Sequence, residues 1–143
     1  MAATQSNVQV GAVVVLAYAT LEDKEGYLAE LINDNGTAKV QLPSAVTDLA
    51  IYLILEGAAA GQRASVQPLE SGRNVRVKLK GTCNPGDKLC LADVATPADA
   101  GKVRTIPSAN GTYYGFMVAE EVGVDGQLVK ARYYGREAIV VGG

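Results

Sequence analysis

The sequence predicts a mainly β fold: a single compact β-barrel or β-sandwich domain with little helix, preceded by a flexible N-terminal arm. Short runs rich in β-branched and aromatic residues recur along the chain, and clusters of Gly, Pro, Asn and Asp punctuate them. The 143 residues fit one domain, in a chain that buries roughly 70% of its unfolded-state surface. Apolar residues make up 48% and charged ones 20%, the balance of an ordinary globular protein and not of a disordered chain.

Met1 to Asn7 are mostly small or polar and show no periodicity, so they read as the arm, with residues 8–143 as the β domain. Val8 to Leu16 and Ile51 to Leu55 are apolar and β-branched, as expected of strands covered on both faces or packed in a subunit contact. Two segments carry helical features. Leu21 to Leu31 has the composition but is interrupted by Gly26, and Ser44 is an N-cap candidate with Asp48 near the first turn. Asn33-Asp34-Asn35-Gly36 tolerates the positive φ of a tight hairpin turn and joins Tyr27 to Ile32 with Thr37 to Leu42, where Ala38, Val40 and Leu42 share a face.

The clearest strand is Asn74 to Lys80: Val75, Val77 and Leu79 alternate with Arg76, Lys78 and Lys80, giving one apolar and one basic face. Asn84-Pro85-Gly86-Asp87 has Pro and Gly at the centre of a type II turn, after which Leu89 and Leu91 resume the alternation. Pro97 to Gly101 reverses the chain before a strand over Lys102 to Ile106. Asn110-Gly111 turns it into Tyr113 to Glu120. Gly123-Val124-Asp125-Gly126 leads into Gln127 to Arg132, with Ala138 to Val141 as a last strand.

Histidine is absent, which removes the commonest general base and metal ligand together with every Ser-His or Cys-His triad. Two cysteines alone do not make a structural zinc set, and no glycine loop has the form of a nucleotide fingerprint, so neither metal nor cofactor is implied. Asn33-Asp34-Asn35-Gly36 lacks the spaced carboxylates and distal Glu of a calcium loop. Glu120 and Glu121 are neighbours whose side chains diverge on a strand, which prevents a shared-proton dyad. A two-residue hairpin loop would hold Cys83 and Cys90 about 7–8 Å apart on one face, beyond comfortable disulfide reach, so both read as small buried hydrophobes. A net charge of −2 without charge blocks argues against nucleic acid as a partner. Gly11 to Ala19 is too short to span a membrane and has no preceding basic residue, which points to synthesis and retention in a cytoplasm-like compartment.

The candidate interface residues are of three kinds. Ala2, Ala3, Thr4, Gln5, Ser6 and Asn7 form an arm able to order on a partner. Arg76, Lys78 and Lys80, with Arg73 near them, form a basic face for an acidic surface, or simply a wetted sheet face that resists edge aggregation; Arg73, Arg76 and Lys78 are the candidates taken from it. Among the aromatics there are seven Tyr, one Phe and no Trp, and the pairs Tyr113-Tyr114 and Tyr133-Tyr134 each place one ring inward and one outward on a strand.

Leu42 to Asp48, Gly81 to Leu89 and Ala119 to Gln127, with the strand opening at Gly101-Lys102-Val103 and the segment Gly115 to Glu121, carry a further signal. Over about Pro43 to Arg132 the chain resembles the capsid decoration, or cement, proteins of tailed phages related to the head-decoration proteins of lambdoid phages. The resemblance implies a β subunit without enzymatic activity, made in the host cytoplasm and carried on the outer capsid surface of the virion. It would often be a homotrimer, would clamp the major capsid protein lattice of the expanded head, and would need no nucleic acid, membrane or cofactor. On this reading Met1 to Asn7 folds onto the lattice at docking, and Val8 to Leu16 helps anchor it. A small β-barrel adaptor or carbohydrate-binding module is the alternative. A trimeric all-β nucleotide hydrolase of the dUTPase type has similar length, but its Asp-Tyr-x-Gly segment is missing, and Ser71-Gly72-Arg73 lacks the flanks of its phosphate motif.

Overall fold

The computed structural model describes residues 12–47 and 52–142. Ten strands account for the regular structure among them, and no described residue is helical. The first five are β1 (Val13–Ala17), β2 (Leu28–Asp34), β3 (Thr37–Gln41), β4 (Tyr52–Glu56) and β5 (Arg63–Pro68). They close into a barrel in the order β1-β3-β2-β4-β5, sealed by antiparallel pairing of β5 with β1. The rest are β6 (Asn74–Lys78), β7 (Lys88–Leu91), β8 (Val103–Thr105), β9 (Gly111–Ala119) and β10 (Leu128–Val141). They form a sheet in the order β6-β10-β9-β7-β8, which curls until Leu79, just past β6, bridges Val103 of β8.

Period-two alternation sorts each strand between two cores. In the barrel, Ala17, Ala29, Val40, Ile54, Ala64 and Val66 point inward and pack together. The residues alternating with Ala29 and Ile54, namely Leu28 and Leu53, pass through the barrel wall. They join the core of the second sheet, built on Val77, Leu79, Leu89, Val103, Met117 and Val129. Fully burying side chains of this kind is worth about 1.5–3 kcal/mol each, so the shared core fuses the two sheets. Hydrogen bonds stitch the same seam: Leu28 N–H donates to Gly101 O at 2.8 Å, and Lys78 N–H to Gly26 O at 2.8 Å. Gly26 sits at φ 85°, in the left-handed region that favours glycine, and a Cβ there would also press on the Leu128 side chain.

The turn chemistry acts as its residue types dictate. Asn35 and Gly36 both have positive φ, 50° and 87°, which makes the β2–β3 connection a two-residue hairpin turn with Asp34 opposite Thr37. Asn33 Oδ1 accepts the Gly36 N–H at 2.7 Å.

The second sheet contains a structural repeat. β6 runs through a loop into β7, and β9 runs through a loop into β10, but the partners are exchanged: β6 pairs with β10 and β9 with β7. The contacts repeat with an offset of 40 residues, from Leu79 to Ala119 and from Gly86 to Gly126. Leu79 N–H donates to Gln127 O and Ala119 N–H to Asp87 O, both at 2.9 Å. Gly126 N–H donates to Leu79 O and Gly86 N–H to Ala119 O, both at 2.8 Å. Asp87 Oδ2 caps Asn84 N–H at 2.8 Å, as Gln127 Oε1 caps Val124 N–H at 3.0 Å. The loops cross where Cys83 and Gly123 exchange backbone hydrogen bonds. The two loops thereby satisfy each other's backbone at the crossing, where Cys83 and Gly123 are buried and would otherwise carry unmet peptide groups.

Several expectations need correction. Leu21 to Leu31 is not helical: Leu28 opens β2, and the residues before it turn at Asp23 and Gly26. The described part of the segment after Ser44 is likewise not helical, while Asp48 lies outside the described residues. β1 and β4 are not covered on both faces, since Val14 is 60% and Leu55 41% exposed in the single chain. The turn Asn84 to Asp87 forms, but no hairpin places Cys83 across from Cys90. Cys83 bridges Gly123 instead, and both cysteines are free and buried. The strands expected over Gln127 to Arg132 and Ala138 to Val141 are one strand, β10, whose register against β9 shifts between Tyr133 and Glu137. β5, with the unpromising sequence Arg-Ala-Ser-Val-Gln-Pro, is a strand because it closes the barrel. Ala2 to Asn7, and Val8 to Gly11 of the expected anchor strand, lie outside the described residues.

Candidate interaction surface

The outer face of the second sheet gathers most of the remaining candidates, in two regions. At one end β6 and β10 lie in antiparallel register, with Asn74 beside Arg132, Arg76 beside Lys130 and Lys78 beside Leu128. Stacking basic residues in this way would be repulsive, and two carboxylates from the end of β9 resolve it. Glu120 takes Arg132 in a two-point fork, Nε to Oε2 at 2.7 Å and Nη2 to Oε1 at 3.2 Å, and also accepts Asn74 Nδ2 at 3.1 Å. Glu121 Oε1 accepts Arg76 Nη1 at 2.8 Å and Lys130 N–H at 3.0 Å. Arg132 is further held through Nη1 on Gly72 O at 2.5 Å, and Arg73 pairs with Glu70 at 3.1 Å.

The basic face is therefore a network of mixed sign. Arg132, then Asn74, hold the Glu120 carboxyl below the ordinary carboxylate range. The Lys130 N–H, then Arg76, do the same for Glu121. Both groups stay ionised and hydrogen-bonded at neutral pH, an arrangement that orients side chains on a surface and is ill suited to proton transfer. The expected divergence on a strand does not occur: Glu120 and Glu121 lie just past β9 and both turn to the outer row of β6 and β10, where each has its own cation, Arg132 for Glu120 and Arg76 for Glu121.

At the other end, β9 and β10 continue as a ribbon beyond the rest of the sheet, pairing Gly115 with Glu137 through to Gly111 with Val141. The pairs of tyrosines behave differently. Tyr133 turns inward against the core and meets Phe116 at a ring separation of 6.4 Å, whereas Tyr134 is 59% exposed. Tyr113 and Tyr114 are both half-buried. Tyr113 donates its hydroxyl to Ala109 O at 3.0 Å, and the Arg136 guanidinium lies 4.3 Å from the centre of the Tyr114 ring. Tyr134, Arg136 and Glu137 border a shallow depression of about 330 Å³, across which Lys88 pairs with Glu137 at 2.7 Å. Val140, at the ribbon's far end, is 73% exposed.

Arg73, Arg76 and Lys78 thus share the β6 end of the sheet, Tyr113, Tyr114 and Tyr134 share the ribbon end, and Tyr133 belongs to the interior. Arg132, Glu120, Glu121 and Arg136 complete these regions; their place depends on cross-strand register, for which the local sequence holds no signal.

The whole architecture has a solved counterpart. The structure of the head fibre gp8.5 N base of bacteriophage phi29 superposes with a TM-score of 0.65 at 15% sequence identity, covering 85% of this chain and 92% of that one. At that identity the likeness establishes a shared fold. No family model matches the sequence, and no curated protein does.

Proposed function

We propose that this chain is a non-enzymatic structural subunit of a tailed-phage head, a decoration or cement protein docked on the outer surface of the major capsid protein lattice. The observation that carries the reading is the fold shared with a phage head fibre base over most of both chains. The motifs quoted above, which resemble those of lambdoid head-decoration proteins, point the same way. The surface chemistry suits a docking role: ionised groups are locked into pairs, and apolar and tyrosine side chains are left at the ends of rigid strands. Val14, 60% exposed on β1, fits the idea that the strand following the N-terminal arm helps anchor the subunit.

A subunit of this kind needs only modest affinity per copy. Repetition around a closed symmetric shell makes the contacts multivalent, and a homotrimer presenting three arms would add to the effect. Co-sedimentation with expanded, DNA-free heads of the encoding phage tests the proposal. Saturable binding to heads that carry no other decoration protein supports it, and a protein left wholly in the supernatant overturns it. Removing Met1 to Asn7 tests the arm separately: truncated protein that binds as tightly as the full chain excludes the arm from docking.

A further inference from the structure

Arg104 lies on β8 in register with Cys90 of β7, whose partner on the other side is Gly115 of β9. The flanking residues Leu89, Leu91 and Val103 fill the core, so this row belongs to the outer face. Cys90 is nevertheless only 4% exposed, because other chain segments stand over it. Val46, from the connection after β3, and Thr112, Tyr113 and Tyr114, from the ribbon, line a concavity of about 110 Å³ together with Cys90 and Arg104.

Arg104 differs from the arginines of the β6 end. Arg73, Arg76 and Arg132 each pair with a carboxylate, whereas Arg104 forms no ion pair among the described residues. Its Nε is out of reach of solvent and has no hydrogen-bond partner. Nε is therefore closed to a guest as well as to water, but a cation with no carboxylate partner beside apolar and aromatic walls favours a guest that brings one. The guanidinium already hydrogen-bonds the Cys90 side chain, and its Nη–H groups are the donors left for a guest, with which a carboxylate forms a charge-assisted bond. Aromatic and apolar walls raise the strength of such a contact by excluding water. The volume admits a carboxylate and the first carbons behind it, which suits the end of a side chain.

We propose that this concavity is a carboxylate-binding site in which Arg104 receives the Asp or Glu side chain of a neighbouring protein chain. The inference stands apart from the phage-head reading, because it concerns a pocket testable on the isolated protein. The Nε–H resonance of Arg104 in ¹⁵N-labelled full-length protein is followed during titration with sodium propionate, propionamide, sodium phosphate and a Glu residue blocked at both ends, at matched ionic strength. Propionate and blocked Glu should each produce a saturable shift of that resonance and of the Thr112 to Tyr114 amides, while propionamide and phosphate should not. Arg104→Gln should abolish the amide response without altering amides remote from β8. Equal responses to propionamide, or saturation by phosphate, overturn the carboxylate assignment. No saturable response to propionate means that the site serves only as a hydrated structural cavity, and a response to propionate but not to blocked Glu rules out a protein side chain as the guest. The wild-type comparison decides the matter even if the Arg104→Gln protein does not fold.

Discussion

The crossing of the two loops makes a quantitative prediction. Gly123 is buried at the crossing, and its backbone is not in the left-handed region, so replacing it tests packing alone. An added methyl group would lie 2.7 Å from Leu79 Cδ2, 3.0 Å from Cys83 Sγ and 3.1 Å from Val129 Cγ2. Overpacking of this severity costs about 1–3 kcal/mol, so Gly123→Ala should be destabilised by that amount. Cys83→Ala removes the buried sulfur and should cost about 1 kcal/mol in lost transfer energy, plus a cavity contribution. In the double variant the new methyl group moves toward the vacated space. Relief is partial because Leu79 and Val129 remain, and a favourable coupling of about 0.5–1.5 kcal/mol is expected. Urea unfolding of the four proteins, with unchanged m-values, provides the measurement. Strict additivity, within about 0.3 kcal/mol, would show that the loops do not meet as described.

The carboxylates of the β6 end give a pH signature. Their pKa values are depressed in the folded chain, so their contribution to stability is present above the unfolded value of about 4.3 and is lost as pH falls through the folded values. An NMR titration should find Glu120 and Glu121 with midpoints below that reference, and Arg132→Met should raise the Glu120 midpoint; an ordinary midpoint for Glu120 in the wild type would contradict the fork. Burial pushes both cysteine thiols up: at Cys83 it outweighs a Gly123 backbone hydrogen bond, and at Cys90 it outweighs the nearby Arg104. Native protein should therefore resist a thiol-specific reagent at neutral pH and release two reactive thiols on denaturation. Rapid labelling of the folded chain would refute the burial of these groups.

Much of this fold was legible from local chemistry. The Asn35-Gly36 turn, the alternation through Val75, Val77 and Leu79, and the Pro85-Gly86 turn are set by backbone preference and period alone, and all are found. What escaped was non-local. Arg63 to Pro68 has no strong pattern of its own and becomes strand by joining β4 to β1. The gap left between the strands expected over Gln127 to Arg132 and Ala138 to Val141 is spanned by β10 itself, whose irregular stretch holds Gly135 at φ 97°. Pairing across a sheet likewise decides which cation meets Glu120 and which meets Glu121. The tyrosine pairs were half legible: alternation describes Tyr133 and Tyr134, whereas on the ribbon Tyr113 and Tyr114 are both partly covered, Tyr114 by Arg136. For Arg104, the concavity is built by segments distant in sequence, and nothing near position 104 announces it.

The proposed role is tested most directly by cryo-electron microscopy of expanded heads incubated with the purified protein. The account predicts additional density outside the shell, repeated at symmetry-related positions and fitted by the barrel and curled sheet. Heads with no added density, or with density confined to their interior, would contradict it.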